Sequence, residues 1–260
     1  MDSSGQPCDH LQFEKRYRRK DGAPVWCLVN GRLVRDKSGK PAFYATVIID
    51  ISERKQSETT QTMLVAELAH RVRNIVQLTA SLARQTANSA RSVQEYDHLF
   101  HGRLAALKTA QDLLFDTGWK FALLAVLAER TLRPFIPPKD DKTFVIDLPN
   151  LELPTQYAQT LAIALNELAV NSAKYGALAN DGSVHLKGDI ETTGEGQRRL
   201  HLKWQEAGMT SVRKPRRRGF GMRMLEFAVP EQFRGFANLS WARSGFVYEA
   251  WLPLDYSSHA

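Results

Sequence analysis

The feature that most constrains this chain is a helical pattern near its middle, residues 161–178, which reads LAIALNELAVNSAKYGAL. Apolar or small side chains recur every three or four positions, as on the buried face of an amphipathic helix. These positions are Leu161, Leu165, Leu168 and then Ser172 and Ala173. Pro154 and Thr155 suit the beginning of this helix, and Gly176 suits its end.

Polar side chains form a second stripe on the same predicted helix. Glu167, Asn171 and Lys174 are spaced by four and three residues, which places them beside one another on a helix surface. A stripe of this kind is most often a solvated face, and the helix alone favours that interpretation. Any functional interpretation has to come from the rest of the chain.

The charge of the chain indicates an anionic partner. The 260 residues include 35 Lys and Arg against 28 Asp and Glu, a formal net charge of +7. Such an excess is typical of proteins that meet nucleic acid, a membrane surface or a phosphate-rich ligand. Five of the positive charges lie within Arg213–Arg218, so the excess is partly local.

The cysteine and hydropathy patterns predict a cytoplasmic protein. Cys8 and Cys27 form no readable disulfide framework and fit a reducing compartment or core packing. No apolar run approaches the ~18 residues of a transmembrane helix, and the N-terminal MDSSGQPCDH has no apolar signal core. We therefore expect a cytoplasmic chain without a membrane segment.

Residues 12–50 are predicted to form β-strands, with turn signals at Asp21-Gly22 and Asp36–Gly39. Three ordered motifs lie in and just after this region: RRKDGAPVW at 18–26, RDKSGKP at 35–41 and DISERK at 50–55. Together they resemble the C-terminal half of a PAS sensor domain. We assign residues 1–55 to a partial PAS domain, whose half-sheet would expose apolar surface unless something packs on it.

Residues 56–117 are predicted to form two long amphipathic helices in an antiparallel hairpin. The first helix has an apolar stripe: Leu64, Leu68, Val72, Ile75, Leu78 and Leu82. His70 is expected on the opposite, solvated face, which it shares with Glu67 and Asn74. The second helix, Val93–Phe115, has its own stripe: Tyr96, Leu99, Phe100, Leu104, Leu107, Ala110 and Leu114. Two helices cannot bury all of this surface, so a partner hairpin or a covering domain is implied.

Residues 118–260 are predicted to form an α/β sandwich, with two helices against a mixed sheet. Besides the central helix, a helix is expected over Phe121–Leu132, ending before Pro134. Strands are expected at residues 143–147, 183–190, 198–204, 239–242 and 247–252. Gly219-Phe220-Gly221 opens a further helix, where backbone N–H groups can cradle phosphate.

Three motifs follow one another along the chain: ELAHRVRN at 67–74, NSAKYGAL at 171–178 and WQE at 204–206. In order and spacing they resemble the sensor histidine kinases of the HWE group, within the GHKL family of ATP-binding domains. The resemblance implies an α+β protein with a partial PAS β-sheet and a two-helix hairpin of the dimerisation and histidine-phosphotransfer type. An α/β sandwich ATP-binding domain of the GHKL (Bergerat) type completes it, with ATP and Mg²⁺ as ligands.

The resemblance also implies roles for individual residues. His70 would be the phosphate acceptor, and Glu167 would orient or activate the reacting groups. Asn171 would coordinate Mg²⁺, which prefers oxygen ligands and keeps several waters, and Lys174 would meet phosphate. The base that draws the imidazole proton is left open between Glu67 and Glu167.

Four further residues are expected at the nucleotide. Glu206 would accept a hydrogen bond from the adenine amino group, and Gly208 would let the base approach. Gly219 and Gly221 would contact phosphate. The basic segment Met209–Arg218 suits a lid over the phosphates, or is a basic loop that touches nothing specific or touches RNA or DNA.

The implied function is a sensor histidine kinase core that autophosphorylates on His70 and serves a response-regulator receiver domain. The alternative is a weak or inactive pseudokinase that acts as a scaffold for the regulator. Two departures from the family pattern motivate it, Asn166 in place of His and Met209-Thr210 in place of Gly-Pro.

A nucleic-acid binder is disfavoured, because the sequence has no interleaved basic and aromatic platform. A homodimer through the helical hairpin is left open.

Overall fold

A computed structural model describes residues 8–136, 143–194, 196–208, 219–242 and 245–255 of the chain. The chain divides into two compact units, residues 1–77 and 78–260. The division falls inside one long helix, whose two ends therefore belong to different units. The predicted division into three domains stays a prediction.

The first unit is built on an antiparallel meander of β1 (His10–Arg18), β2 (Pro24–Arg35) and β3 (Pro41–Asp50), in that order. Both turn signals in the sequence form turns. In the second turn, Asp36 Oδ1 accepts the backbone N–H groups of Ser38 at 2.8 Å and Lys40 at 3.0 Å. A side chain that holds two backbone donors fixes the turn and, through it, the register of β2 and β3.

Strand β3 is solvent-exposed along its whole length, apolar residues included. Phe43 is 60%, Val47 62% and Ile48 55% exposed. A three-stranded sheet with no second layer has no place to bury such side chains. The sequence-based expectation that this half-sheet exposes apolar surface is confirmed for the single chain.

The long helix α1 (Ser52–Ser89) starts immediately after β3. It begins 12 residues, or about three helical turns, before Leu64, the first residue of the hydrophobic stripe. Ion pairs from the sheet support this early start, because Glu14 of β1 meets Arg54 and also Lys55, the latter at 2.6 Å. These contacts join the sheet and the first turn of α1 within one unit.

The described part of the second unit includes the C-terminal end of α1 and the helices α2 (Val93–Asp116), α3 (Leu124–Leu132) and α4 (Thr155–Tyr175). A short ladder of β4 (Ala122–Leu123) with β6 (Glu152–Leu153) precedes α3 and α4. Helix α3 therefore begins three residues later than predicted, because residues 122 and 123 pair as a strand. Helix α4 matches the prediction at both ends, with Gly176 following its last residue.

A five-stranded sheet forms the other layer of the second unit. Its strands are β5 (Phe144–Asp147), β7 (Ser183–Thr192), β8 (Arg198–Ala207), β9 (Phe236–Ala242) and β10 (Gly245–Pro253). Their order is β5-β7-β8-β10-β9, with β5 and β7 parallel and the other pairs antiparallel. Buried and exposed residues alternate along β8 and β10, so one face packs on helices. The predicted α/β sandwich is confirmed.

The helix layer also includes α2, which the sequence assigned to the hairpin. Ala110 and Leu114 of α2 are fully buried in the same apolar cluster as Leu165 of α4 and Trp204 of the sheet. A further helical segment begins at the glycine turn, residues 219–221, and in it α5 (Phe220–Arg223) continues into α6 (Val229–Phe233) through one π-helical turn, Met224–Ala228. Helix α2 is thus part of the core that carries the sheet.

The junction between β3 and α1 gives a first prediction. Asp50 accepts the backbone N–H of Ser52 at 2.9 Å and the guanidinium of Arg19 at 3.0 Å. The Ser52 hydrogen bonds and then the charge of Arg19 hold the pKa of Asp50 below its ordinary value. Asp50→Ala should therefore speed hydrogen exchange of the amides in the first turn of α1.

Because the pKa of Asp50 is lower in the folded chain, its stabilising effect is present above the unfolded pKa and is lost as pH falls through the folded one. Wild type should approach the exchange pattern of Asp50→Ala in acid. Asp21→Ala is the matched control, since Asp21 holds only its own turn through the N–H of Ala23. Unchanged exchange in Asp50→Ala at neutral pH would contradict this account.

Candidate functional site

The polar stripe on α4 is not a solvated face. Residues 161–170 are buried throughout, and Glu167 is only 4% exposed, while Asn171 and Lys174 are partly exposed. Helix α2 lies against this side of α4, with Gly102 opposite Asn166. A β-carbon at position 102 would lie 3.5 Å from Asn166 Oδ1. The interpretation of the stripe as solvated is therefore wrong at Glu167.

Glu167 is held by a buried arginine from α2. Arg103 Nε donates to Glu167 Oε1 at 2.6 Å, and Nη2 donates to Oε2 at 3.2 Å. Arg103 Nη1 donates to Thr86 Oγ1 at 2.6 Å, at the C-terminal end of α1. The guanidinium carbon also lies 3.9 Å from the ring centroid of Phe220. Four helical segments therefore meet at one guanidinium group.

The predicted stripe of α2 was wrong at this point. It placed Leu104 on the buried face, whereas Leu104 is 36% exposed and Arg103 is 2% exposed. Arg103 lies four residues from both Leu99 and Leu107, so the spacing alone could have put it on the apolar face. Spacing by itself does not predict the burial of Arg103, because arginine is seldom buried unless it is paired, and its partner Glu167 is 64 residues away.

The glycine turn at the start of α5 packs directly on α4. A β-carbon at Gly221 would lie 2.5 Å from Glu167 Oε2 and 3.4 Å from Asn171 Nδ2, so only glycine fits this approach. Gly219, by contrast, is exposed and has nothing within 4 Å of such a carbon. The structure thus brings Glu167, Asn171 and Gly221 together.

Lys174 lies one turn beyond Asn171 and meets α2 as well. Its Nζ is 3.9 Å from Glu95 Oε1, and both side chains are 29% exposed. Glu95 also accepts the backbone N–H of Arg91 through its other oxygen at 2.9 Å, which anchors it near the start of α2. The contact between Lys174 and Glu95 is long and partly solvated, so it is a weak ion pair.

Glu206 is buried and holds two parts of the fold together. Its Oε2 accepts the backbone N–H of Ala177 at 2.8 Å, just after α4, and its Oε1 accepts the indole N–H of Trp204 at 3.1 Å. These bonds are a structural use of the carboxylate that the sequence did not indicate. Its predicted contact with an adenine amino group stays a prediction.

Gly208 has a structural reason to be glycine. Its φ of 86° lies in the left-handed region, and a β-carbon would lie 2.9 Å from the Cα of Gly182. Both constraints act without any ligand. The predicted approach of a nucleotide base to Gly208 is untested.

His70 is exposed on α1, in the first unit, as predicted. The expectation that the opposite face of its helix is packed is wrong for the single chain. Leu64 is 55%, Leu68 60% and Val72 59% exposed. Packing of the stripe begins at Leu78, which packs against the apolar cluster of Leu82, Leu107, Ile163 and Phe220 in the second unit. The physical reason is that, among residues 8–77, no other element covers the middle of α1.

Both carboxylates considered as the base are paired with arginine. Glu67 accepts from Arg71, one turn further along α1, with Nε at 3.1 Å from Oε1. Glu167 accepts from Arg103. The first pair is exposed and the second is buried. The base therefore stays open between the two.

Within the described ranges, no group of three or more His, Cys, Asp or Glu side chains is arranged to hold a metal ion. No helix of the described residues is long and apolar enough to cross a membrane. The predicted lid, Met209–Arg218, and the departure at Met209-Thr210 lie outside the described residues.

Comparison with known proteins agrees with the motifs. Residues 67–149 match the family model of the HWE histidine kinases. A protein of Brucella anthropi named blue-light-activated histidine kinase is 31% identical over 249 residues, covering 94% of this chain and 49% of that protein. Its namesake in Brucella ovis is 30% identical over 256 residues, covering 96% and 50%. The chain thus spans about half the length of these curated relatives.

A solved structure shows the same fold. The blue-light activated histidine kinase of Erythrobacter litoralis EL346 superposes with a TM-score of 0.52, covering 96% of this chain and 79% of that one. The sequences are 15% identical, so the likeness concerns the fold alone. The α+β class predicted from the sequence is confirmed.

The packing of the glycine turn gives a second prediction. Gly221→Ala should lower the free energy of unfolding by about 1–3 kcal/mol, because the added methyl overlaps the Glu167 carboxylate. Thermal unfolding of the purified chain measures the loss. Gly219→Ala is the matched control and should leave stability unchanged, since its position is open and its φ of −74° suits any residue. Equal stability of the two variants would contradict the packing described.

Proposed function

We propose that the chain binds Mg-ATP and phosphorylates itself on His70, since residues 67–149 match the HWE histidine kinase model and its curated relatives are named histidine kinases. The phosphoryl group then passes to an aspartate of a response-regulator receiver domain. The observation that carries the proposal is the convergence of Glu167, Asn171 and Gly221 at one place in the second unit. The reaction takes place in the cytoplasm, where ATP is available.

The described residues fit a magnesium ion that arrives with the nucleotide. They offer no cluster of three metal-ligating side chains, so a resident all-protein site is not supported. Asn171 supplies an amide group on a partly exposed surface, and Mg²⁺ binds readily through one protein oxygen, phosphate oxygens and waters. The ion, when bound, neutralises charge on the phosphates.

Lys174 and the glycine turn would hold the phosphates. Lys174 sits one turn from Asn171, and its weak contact with Glu95 leaves the ammonium able to turn toward an anion. Gly221 packs on Glu167, which keeps the glycine turn close to the side chains of Glu167 and Asn171. Phosphoryl transfer depends mainly on positioning and charge neutralisation, which is what these groups supply.

His70 is suited to accept the group because it is exposed and can meet two partners in turn. A neutral imidazole nitrogen attacks the γ-phosphorus, the bond to the β,γ-bridging oxygen breaks, and ADP leaves. The imidazole loses its proton, and the product is a phosphoramidate. Glu67 and Glu167 both remain candidates to receive that proton.

The pairing of both candidate bases with arginine favours the pseudokinase alternative. Both candidate bases are neutralised by arginine, through Glu67 with Arg71 and Glu167 with Arg103. A chain that binds ATP without transferring phosphate would then serve as a scaffold for the regulator, alone or as a homodimer. Incorporation of label from γ-labelled ATP separates the two functions directly.

Asn171→Ala is the prediction that tests the nucleotide site. It removes the expected protein ligand of the metal from a partly exposed position, so the fold should survive. Affinity for Mg-ATP should fall at least about tenfold, or about 1.4 kcal/mol. Isothermal titration measures the loss, and Asn88→Ala, an exposed helical asparagine elsewhere, should bind as wild type does. Unchanged affinity in Asn171→Ala would refute the site.

His70→Ala tests the phosphoacceptor. The variant should bind Mg-ATP normally and take up no label, because the substitution removes the nucleophile from an exposed position. His98→Ala replaces an exposed histidine of α2 and should retain full labelling. The wild-type label should be released by acid and kept in base, as for a phosphoramidate. Label that persists in His70→Ala, or that survives acid, would reject the assignment.

A further inference from the structure

Helices α2 and α4 meet through two charged pairs. Glu95 of α2 faces Lys174 of α4, and Arg103 of α2 binds Glu167 of α4. The pairing runs in opposite directions along the two helices, so they are antiparallel. Two residues proposed for the nucleotide site are therefore each in contact with a side chain of α2.

The two contacts differ in strength. The pair between Lys174 and Glu95 is long and partly solvated, whereas that between Arg103 and Glu167 is short and buried. Arg103 holds both carboxylate oxygens, so Glu167 cannot rotate without breaking a bond. Breaking the pair would leave a buried charge without a partner, which is strongly unfavourable. The orientation of Glu167 is fixed by α2 rather than by α4 alone.

The guanidinium is itself fixed from two further sides. Thr86 of α1 accepts from Nη1 and donates its own hydroxyl proton to the carbonyl of Leu82 at 2.6 Å. Phe220 covers the face of the guanidinium, and the next residue, Gly221, abuts Glu167. Arginine satisfies all of these contacts because its planar fork presents several donors at once.

We propose that Arg103 is a positioning residue for the kinase reaction, holding the Glu167 carboxylate in place beside Asn171 and Gly221. The proposal rests on the function proposed above. Arg103 acts through Glu167 and does not itself meet the nucleotide, since its donors are directed to Glu167 and Thr86 within the buried interface. A small displacement of a positioned group is enough to slow transfer strongly.

Arg103→Lys in the full chain tests this role. Lysine keeps the positive charge beside Glu167 but cannot hold both oxygens and Thr86 together. The rate of His70 labelling at saturating Mg-ATP should fall by at least about tenfold, because the carboxylate loses its fixed orientation. The dissociation constant for Mg-ATP should stay within about threefold, as no nucleotide contact is removed.

Thr86→Val is a second, milder variant that removes only the hydrogen bond steadying the guanidinium. It should lower the labelling rate in the same direction and by less, and it covers the case in which Arg103→Lys does not fold. Leu132→Ala serves as a control for general destabilisation, since Leu132 is fully buried in α3 and takes no part in the hydrogen bonds of the pair. Its rate at saturating Mg-ATP, measured well below its unfolding temperature, should match wild type.

Three results would overturn the proposal. Wild-type labelling rates in Arg103→Lys and Thr86→Val would show that Glu167 needs no positioning. Faster labelling would show that the pair restrains the enzyme instead. An equal rate loss in Leu132→Ala would show a general effect of stability. Failure of wild type itself to incorporate label would instead reject the proposed kinase function, and this inference with it.

Discussion

The second unit depends on the buried ion pair between Arg103 and Glu167. Removing two charges from water is costly, and the cost is offset only when every donor and acceptor finds a partner. Here the partners come from α2, α4 and the end of α1, with the ring of Phe220 from α5 over the guanidinium. These elements can therefore pack in few ways other than the observed one, which also determines where the candidate site lies.

The other buried carboxylate, Glu206, is also held by hydrogen bonds from distant parts of the fold. Glu206 joins the end of β8 to the turn after α4 through bonds to Ala177 and Trp204. Both carboxylates that the family resemblance assigned to ligand chemistry are thus already used to hold the fold. A site built this way is organised before its ligand arrives, because its groups are fixed by the core instead of by the ligand.

The first unit is held together by local interactions more than by a buried core. Its sheet has one layer, β3 exposes its apolar side chains, and the stripe of α1 around His70 is open to solvent. Local interactions hold it together: the Asp36 turn, the Asp50 junction and the ion pairs of Glu14. An exposed phosphoacceptor is compatible with such a structure, since the acceptor has to remain accessible.

Elements with strong periodicity or specific turn chemistry are predictable from the amino-acid sequence. Helix α4, the strands of the mixed sheet, the Asp36 turn and the exposure of His70 all follow from local spacing. Three features depend on how distant elements pack: the helix that covers Glu167, the burial of Arg103 in place of Leu104, and the bond from the backbone of Ala177 to Glu206. Periodicity shows that a helix has an apolar face, but the partner of a polar group at the edge of that face comes from a distant part of the chain. A buried charge is stable only with such a partner, so its position becomes visible when the elements pack.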